Sequence, residues 1–470
     1  MLSLPSSPRV RRIVLAYTVN RLGTWFGYVA LSIAVYDQTH SAVAVAALLV
    51  AGQVLSAFLV PAVVARVEAS SLRAGISRLY LFETAATVAL AVLLRGRFSL
   101  PAVLVLVALD GTAALAASAL LRAAAARAAR EWAQDAGAGE TQQDTGPEAE
   151  RAANAALNIG FAVTFTLGPA LGGIVVPTLG VPTALLIDAG SFLACAAMLL
   201  DLKPRLEDAE TSSVSTRLRA AAQYIKEVPA LRRLLLAQGV ALSFFTFSGP
   251  VEVAYAKTSL HAGDTGYGLL VGVWGLGVTI GSILFARSIE RSLRTLLSMA
   301  TLAVGLAYLG WAAAPSLALA CAIGLVGGVG NGVQWASLIS AVQTLTPQRL
   351  HGRLMGAVES LGAICPVIGF SLGGAIALLS SPRSAFLVAG AGATVSTAGF
   401  VQLRLDGMTS RTVRRGAEEI DLQADHRPRA AALSDPRPDD QIALDQTAVG
   451  REIAHDLTNA QPRSSGRSTP

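Results

Sequence analysis

A chain of 470 residues with 53% hydrophobic and only 14% charged side chains has too little polar surface to clothe a soluble body of that size, because soluble domains carry about 25% charge. The formal net charge of +6 would suit nucleic acid if the basic residues formed one patch. They fall instead in short clusters between apolar stretches, as beside anionic headgroups, which excludes nucleic acid and points to a lipid bilayer as partner.

A bilayer-crossing helix needs about 20 mostly apolar residues. Such stretches are expected at 13–36, 41–65, 74–95, 99–121, 153–176, 181–201, 231–256, 266–288, 294–313, 316–343, 354–379 and 383–403. Arg9, Arg11 and Arg12 precede the first stretch as in a signal peptide, but it continues to Tyr36, longer than a signal h-region, and so reads as a span that stays. The short joints near Pro177, Pro182, Pro315 and Pro382 suit turns. With an internal N-terminus, twenty-two Lys and Arg fall on the inner side of the twelve-span alternation and four (Arg95, Arg97, Lys257, Arg383) on the outer. This asymmetry gives the expected topology, a multi-pass protein of the plasma (inner) membrane with both termini cytoplasmic.

Four regions follow. Residues 1–201 form a first six-helix bundle, in which a polar, acidic cytoplasmic loop spans about 123–152. Residues 202–230 are a cytoplasmic linker with the amphipathic run VSTRLRAAAQYIKEV, suited to the inner surface. Residues 231–404 form a second bundle, and the Pro-, Asp-, Arg- and Gln-rich 405–470 a disordered tail. The halves repeat weakly: FTLGPALGGIV (165–175) aligns with PVIGFSLGGAI (366–376), and ALLIDAG (184–190) with AFLVAGA (385–391), at an offset of 201 residues. Cys195, Cys321 and Cys365 lie singly in apolar segments, so neither a disulfide framework nor a metal site is indicated.

Several stretches resemble the major facilitator superfamily, in particular its bacterial drug- and siderophore-exporter-like branch. They are NRLGTWFGYVALSIAVYDQTHSAVAVAALLVAGQV (20–54), GPALGGIVVPTLGVPTALLIDAGSFLACAAML (168–199), YIKEVPALRRLLL (224–236) and LTPQRLHGRLMGAVESLGAICPVIGFSLGG (345–374). The likeness covers about 12–404 and implies an all-α membrane fold of twelve helices in two six-helix repeats, working as a monomer. It implies that Gly168, Pro169, Gly172 and Gly173 form the GPxxGG export motif of the fifth span. Small residues let helices approach and the proline frees a carbonyl, making a bendable seam; ordinary glycine packing is the alternative. One departure stands out. In VVARVEASSLRAG (63–75), Ala65 occupies the place of the usual Asp of the inner-gate latch, so the latch is expected to be rebuilt from Arg66, Glu68 and Arg73, or to be missing.

Charges deep in a bilayer are costly and mark function. Asp110 lies midway between Arg97 and Arg122, Arg21 nine residues beyond Arg12, and Asp188 in the sixth span. Glu83, Glu252 and Glu359 stand five or six residues from Arg78, Lys257 and Arg353 and read as interfacial. By the resemblance the first, fourth, seventh and tenth spans line a central cavity, placing Arg21, Asp110 and Glu252 there, with Asn331, Gln334 and Trp335 sharing a face of the tenth span. Asp188 joins them as a candidate. A carboxylate disfavoured as an ion in a low-dielectric cavity can take a proton from one side and release it to the other. Asp110 is the expected carrier and Arg21 its modulator, against a static Arg21–Asp110 ion pair. Ser248-Gly249-Pro250 is expected to break the seventh span.

The function expected is alternating-access, proton-coupled export of small amphipathic molecules, with protons and a small-molecule substrate as partners. An importer or facilitator of a metabolite is the alternative. A polytopic enzyme or non-transporting receptor fits less well: no GxxxxGK[ST] or HExxH string occurs, no cofactor is expected, and the five histidines are scattered.

Overall fold

The computed structural model describes residues 7–69, 72–136, 145–200, 223–288, 291–346 and 351–402. All of its elements are helices: α1 (Pro8–Thr39), α2 (Ala42–Ala69), α3 (Leu72–Arg95), α4 (Leu100–Ala136), α5 (Thr145–Leu179), α6 (Val181–Met198), α7 (Pro229–Phe245), α8 (Ser248–Ala254) with a π-turn at Tyr255–Ser259, α9 (Gly263–Arg287), α10 (Leu293–Ala313), α11 (Leu317–Thr344), α12 (His351–Leu379) and α13 (Pro382–Val401). Among the described residues ten helical stretches are long and apolar enough to cross a membrane. The other two expected spans are α1, diluted by Asn20, Arg21 and its flanking charges, and α2, whose apolar run is Ala42–Val54. Only a helix that satisfies its own backbone is tolerated in hydrocarbon, and the hydroxyls follow the same rule. Thr112, Thr164 and Thr301 each donate to the carbonyl four residues back, at 2.8–2.9 Å.

Two of the four expected regions, the linker 202–230 in large part and the tail 405–470, lie outside the described residues. The segment expected as a polar loop at 123–152 is mostly helix. The alanine-rich run after Arg122 carries α4 on to Ala136, and α5 begins at Thr145, since alanine is the best helix former. Arg130 and Glu150, at 3.0 Å, bridge the two extended ends, and Arg9 approaches Glu131 at 3.6 Å.

Within the first six helices α1 packs on α5 and α6, α2 on α4, and α3 on α4 and α6. Within the rest α9 packs on α11, and α10 on α11 and α13. The two sets meet along α5–α9 and α2–α12, with α8 wedged against α2 and α12. At the end where α1 finishes the connections are short, and Gly180 makes one of them at φ 81°, a left-handed turn that favours glycine.

Candidate functional site

The seam between the two sets of helices is built from backbone. On α5, Gly168 faces the Trp25 ring and Gly172 faces Val29, both on α1. Gly173 and Pro169 face across to α9. A methyl group on Gly268 would fall 2.6 Å from the Pro169 carbonyl oxygen and 2.7 Å from the Gly173 nitrogen, closer than real side chains come. Two turns on, Gly275 sits against the Phe165 carbonyl, the acceptor that Pro169 leaves without its intrahelical donor. The Thr166 and Thr279 hydroxyls meet at 3.2 Å across the same seam. All four motif residues therefore lie in one stripe, two facing α1 and two facing α9.

At the end where α1 finishes, the seam carries charge. Lys257, in the π-turn, is bonded to Asp37 of α1 and lies 2.6 Å from Asp264 of α9. The helix break behind it falls at Thr246–Phe247, just before Ser248-Gly249-Pro250, as the sequence suggested. Pro250 cannot donate to the Thr246 carbonyl, and Gly249 bonds it at 3.3 Å in a three-residue step. Glu252, half-buried on α8, faces the Ser248 hydroxyl and lies near Tyr28 of α1 and Tyr267 of α9.

The deepest charges are inside the first six helices. Arg21 of α1 donates to Ser118 Oγ of α4 at 3.1 Å, with its guanidinium 5.4 Å from the Tyr17 ring centre and 5.9 Å from Phe161. Asp110 of α4 accepts from Thr87 of α3 at 3.5 Å. No ion pair joins Arg21 to Asp110 among the described residues, so the static pair is not what holds α1 to α4. Asp188 of α6 is 4% exposed, its carboxylate pressed against Gly23 and Gly27 of α1. Glu83 corrects the sequence reading. It is fully buried rather than interfacial, both carboxylate oxygens lack a partner, and it feels the charges of Asp110, Asp188 and Arg21. The exposed Arg78 five residues earlier misled. The useful signal is that α3 starts at Leu72 and ends at Arg95, which leaves Glu83 eleven residues from one end and twelve from the other.

The tenth-span trio separates. Gln334 is buried and donates to Thr301 of α10 at 2.8 Å, Asn331 is half-buried, and Trp335 is exposed. Their spacing puts the three within one turn on one side of the helix, and Gln334, at the edge toward α10, is the one engaged in packing there. Arg66 is exposed on α2; the side chains of Glu68 and Arg73 lie outside the described residues, as does that of Glu359. A groove of about 890 Å³ lies elsewhere, between α9, α10 and α11, with Arg287 and Arg291 at its rim. None of the expected cavity residues lines it. Among the described residues no cluster of His, Cys, Asp or Glu is set to hold a metal ion.

The family described as transmembrane secretion effector, of the major facilitator type, matches residues 140–429. An uncharacterised transporter of the same superfamily, YfiS of Bacillus subtilis, is 26% identical over 235 residues, covering 47% of this chain and 56% of its own length. The multidrug efflux pump Tap of Mycolicibacterium fortuitum is 27% identical over 249 residues, 50% of this chain and 59% of its own. The chain thus spans somewhat more than half the length of these relatives. The crystal structure of the nucleoside transporter NupG superposes with a TM-score of 0.66 at 11% identity, over 84% of this chain and 99% of that one, a likeness of fold.

Proposed function

We propose an efflux function for this chain, which belongs to the transmembrane secretion effector family of the major facilitator superfamily of transporters. In this reading it is a secondary active exporter that exchanges a small amphipathic molecule for protons by alternating access. The single observation that carries it is the seam at Gly173 and Gly268. Two stacks of helices touch there through bare backbone, so a small rotation of one against the other costs little side-chain repacking. The bond of Lys257 to Asp37 and its approach to Asp264 close one end of that seam, and exchange of such contacts is how packed halves rock. Similarity to a protein named a multidrug efflux pump supports the outward direction, and the Lys and Arg asymmetry supports cytoplasmic termini and a plasma-membrane location. Residues 1–201 and 231–404 act as the two rocking bundles of a monomer. Asp110 carries the proton and Arg21 tunes it, while Glu252, Asn331 and Trp335 face the substrate.

Proteoliposomes holding the full chain test this. A pH gradient is imposed and ethidium, a lipophilic cationic dye, is added while lumenal pH is followed with a trapped indicator. Ethidium-dependent proton release that is lost in Asp110→Asn supports the reading. Equal release in both makes Asp110 structural. Ethidium flux with no proton movement replaces coupled export by facilitated passage.

A further inference from the structure

Glu83 stands outside the machinery just described. It lies on α3, which the resemblance does not assign to the cavity, and it is packed between α4 and α6 with none of its surface exposed. Both Oε atoms lack a hydrogen-bond donor, and so does Oδ1 of Asp188, itself 4% exposed. Three carboxylates, Glu83, Asp110 and Asp188, approach one another from α3, α4 and α6, and the guanidinium that acts on Glu83 is that of Arg21. The other ionisable groups facing Glu83 are Tyr80 on its own helix and Cys195 on α6, with Tyr17 of α1 facing Tyr80 behind them. Arg122 of α4 donates to the Tyr17 hydroxyl at 2.8 Å.

Charge counting then decides the state. With all three acids ionised the cluster would carry two uncompensated negative charges in the apolar interior, where an unpaired charge is strongly unfavourable. Neutralising one or two of the acids removes that cost. The oxygens without donors identify where the hydrogen goes, because a protonated carboxyl supplies the donor that its surroundings do not.

We propose that Glu83 and Asp188 form a proton-binding site inside the first bundle, separate from the substrate cavity and linked to it through Asp110 and Arg21. The ligand is the hydron itself. A carboxylate oxygen takes a proton as the cluster becomes open to one side, forming an O–H bond, and that bond breaks to return the proton when the cluster opens to the other. No electron moves. This second proton site lies on α3 and α6, apart from the substrate residues on α8 and α11, and it communicates with the carrier Asp110 on α4 by charge. The proposal rests on the proton-coupling reading but makes a separate demand, that Glu83 is protonated at neutral pH.

The test has two arms, both on the full chain. In detergent, infrared difference spectra taken across a pH titration report the C=O stretch of protonated carboxyls. The parent is expected to show such a band at neutral pH, Glu83→Gln to lose it, and Glu83→Asp to keep it at a shifted frequency. The Asp variant gives the same reading if the Gln variant does not fold. In proteoliposomes, Glu83→Gln is expected to lose at least tenfold of the pH-gradient-driven ethidium flux while its ethidium affinity, measured by fluorescence at equilibrium, stays unchanged. A band that is unaltered in both variants overturns the proposal, as does loss of ethidium affinity equal to the loss of flux. If the band behaves as expected but the parent's ethidium flux ignores the pH gradient, the proton site stands and the exporter reading of the previous section fails.

Discussion

Inside the first six helices, Arg21, Glu83, Asp110 and Asp188 come together, with Gly23 and Gly27 making room for Asp188. Inside the last six, the corresponding space is filled by rings. Trp274 stacks on Tyr308 with centroids 5.4 Å apart, Tyr308 lies 5.8 Å from Trp311, and Trp311 meets Phe386 edge-on at 5.2 Å. The polar atoms of that stack are satisfied locally: Trp311 donates to the Ala320 carbonyl at 2.7 Å and Tyr308 to the Phe245 carbonyl at 3.0 Å. One bundle tolerates ionisable groups with missing partners, and its counterpart is closed by aromatic packing. The contrast separates two tasks. Rings in contact stiffen a body that moves as a unit, whereas unpartnered acids are unfavourable for folding and are kept where a charge has to change.

Substitutions at the two interiors are therefore expected to differ in sign. The largest effect falls on the aromatic side. Trp311→Ala opens a cavity in the stack and is expected to cost about 3–5 kcal/mol, seen as a lower midpoint of thermal unfolding in detergent, with transport lost because the bundle loosens. Glu83→Met does the opposite. Replacing an unpartnered buried acid by an apolar chain of similar length is expected to raise stability by about 1–4 kcal/mol while proton-driven transport falls. A lower unfolding midpoint for Glu83→Met would erase the distinction between the interiors.

Smaller effects sharpen the picture. Gln334→Leu leaves Thr301 without its partner and is expected to cost about 1–2 kcal/mol in the same melting experiment, with ethidium affinity unchanged. An affinity change would return Gln334 to the cavity. Lys257→Gln removes the ionic bonds at the seam's end. Asp37 is 48% exposed there, so the loss is expected to be about 0–1 kcal/mol, and the difference from the parent should vanish in high salt. A difference that persists in high salt would show the pair to be shielded from water.

Several of these features can be seen in the residues alone. The apolar stretches and their turns anticipated all the spans to within a few residues at most ends, the Ser248-Gly249-Pro250 break appears where it was expected, and the GPxxGG stripe on α5 could be laid out by counting. Two readings failed for identifiable reasons, and a third gained a detail. The loop at 123–152 looked polar because Gln, Asp and Gly sit at its middle, although alanines extend α4 to Ala136. Glu83 looked interfacial because depth was counted from the nearest charge, when the ends of its own helix set the scale. Asn331, Gln334 and Trp335 were grouped by spacing, and Gln334 turned out to belong to the α10 contact.

The division has a physical basis. Hydrocarbon offers no partner to a backbone amide, so each crossing segment must be a helix about 20 residues long and apolar. Length and composition are properties of the chain read in order, and they suffice for the number, class and approximate limits of the spans. Rotation of each helix about its own axis is different. In lipid it is set by which small residues let which backbones approach, Gly268 on Gly173 or Gly281 on Val329, and no local pattern encodes a partner so far along the chain. The approach of Glu83 to Asp110, Asp188 and Arg21 depends on four such rotations at once, and for that reason it emerges only when the helices are packed.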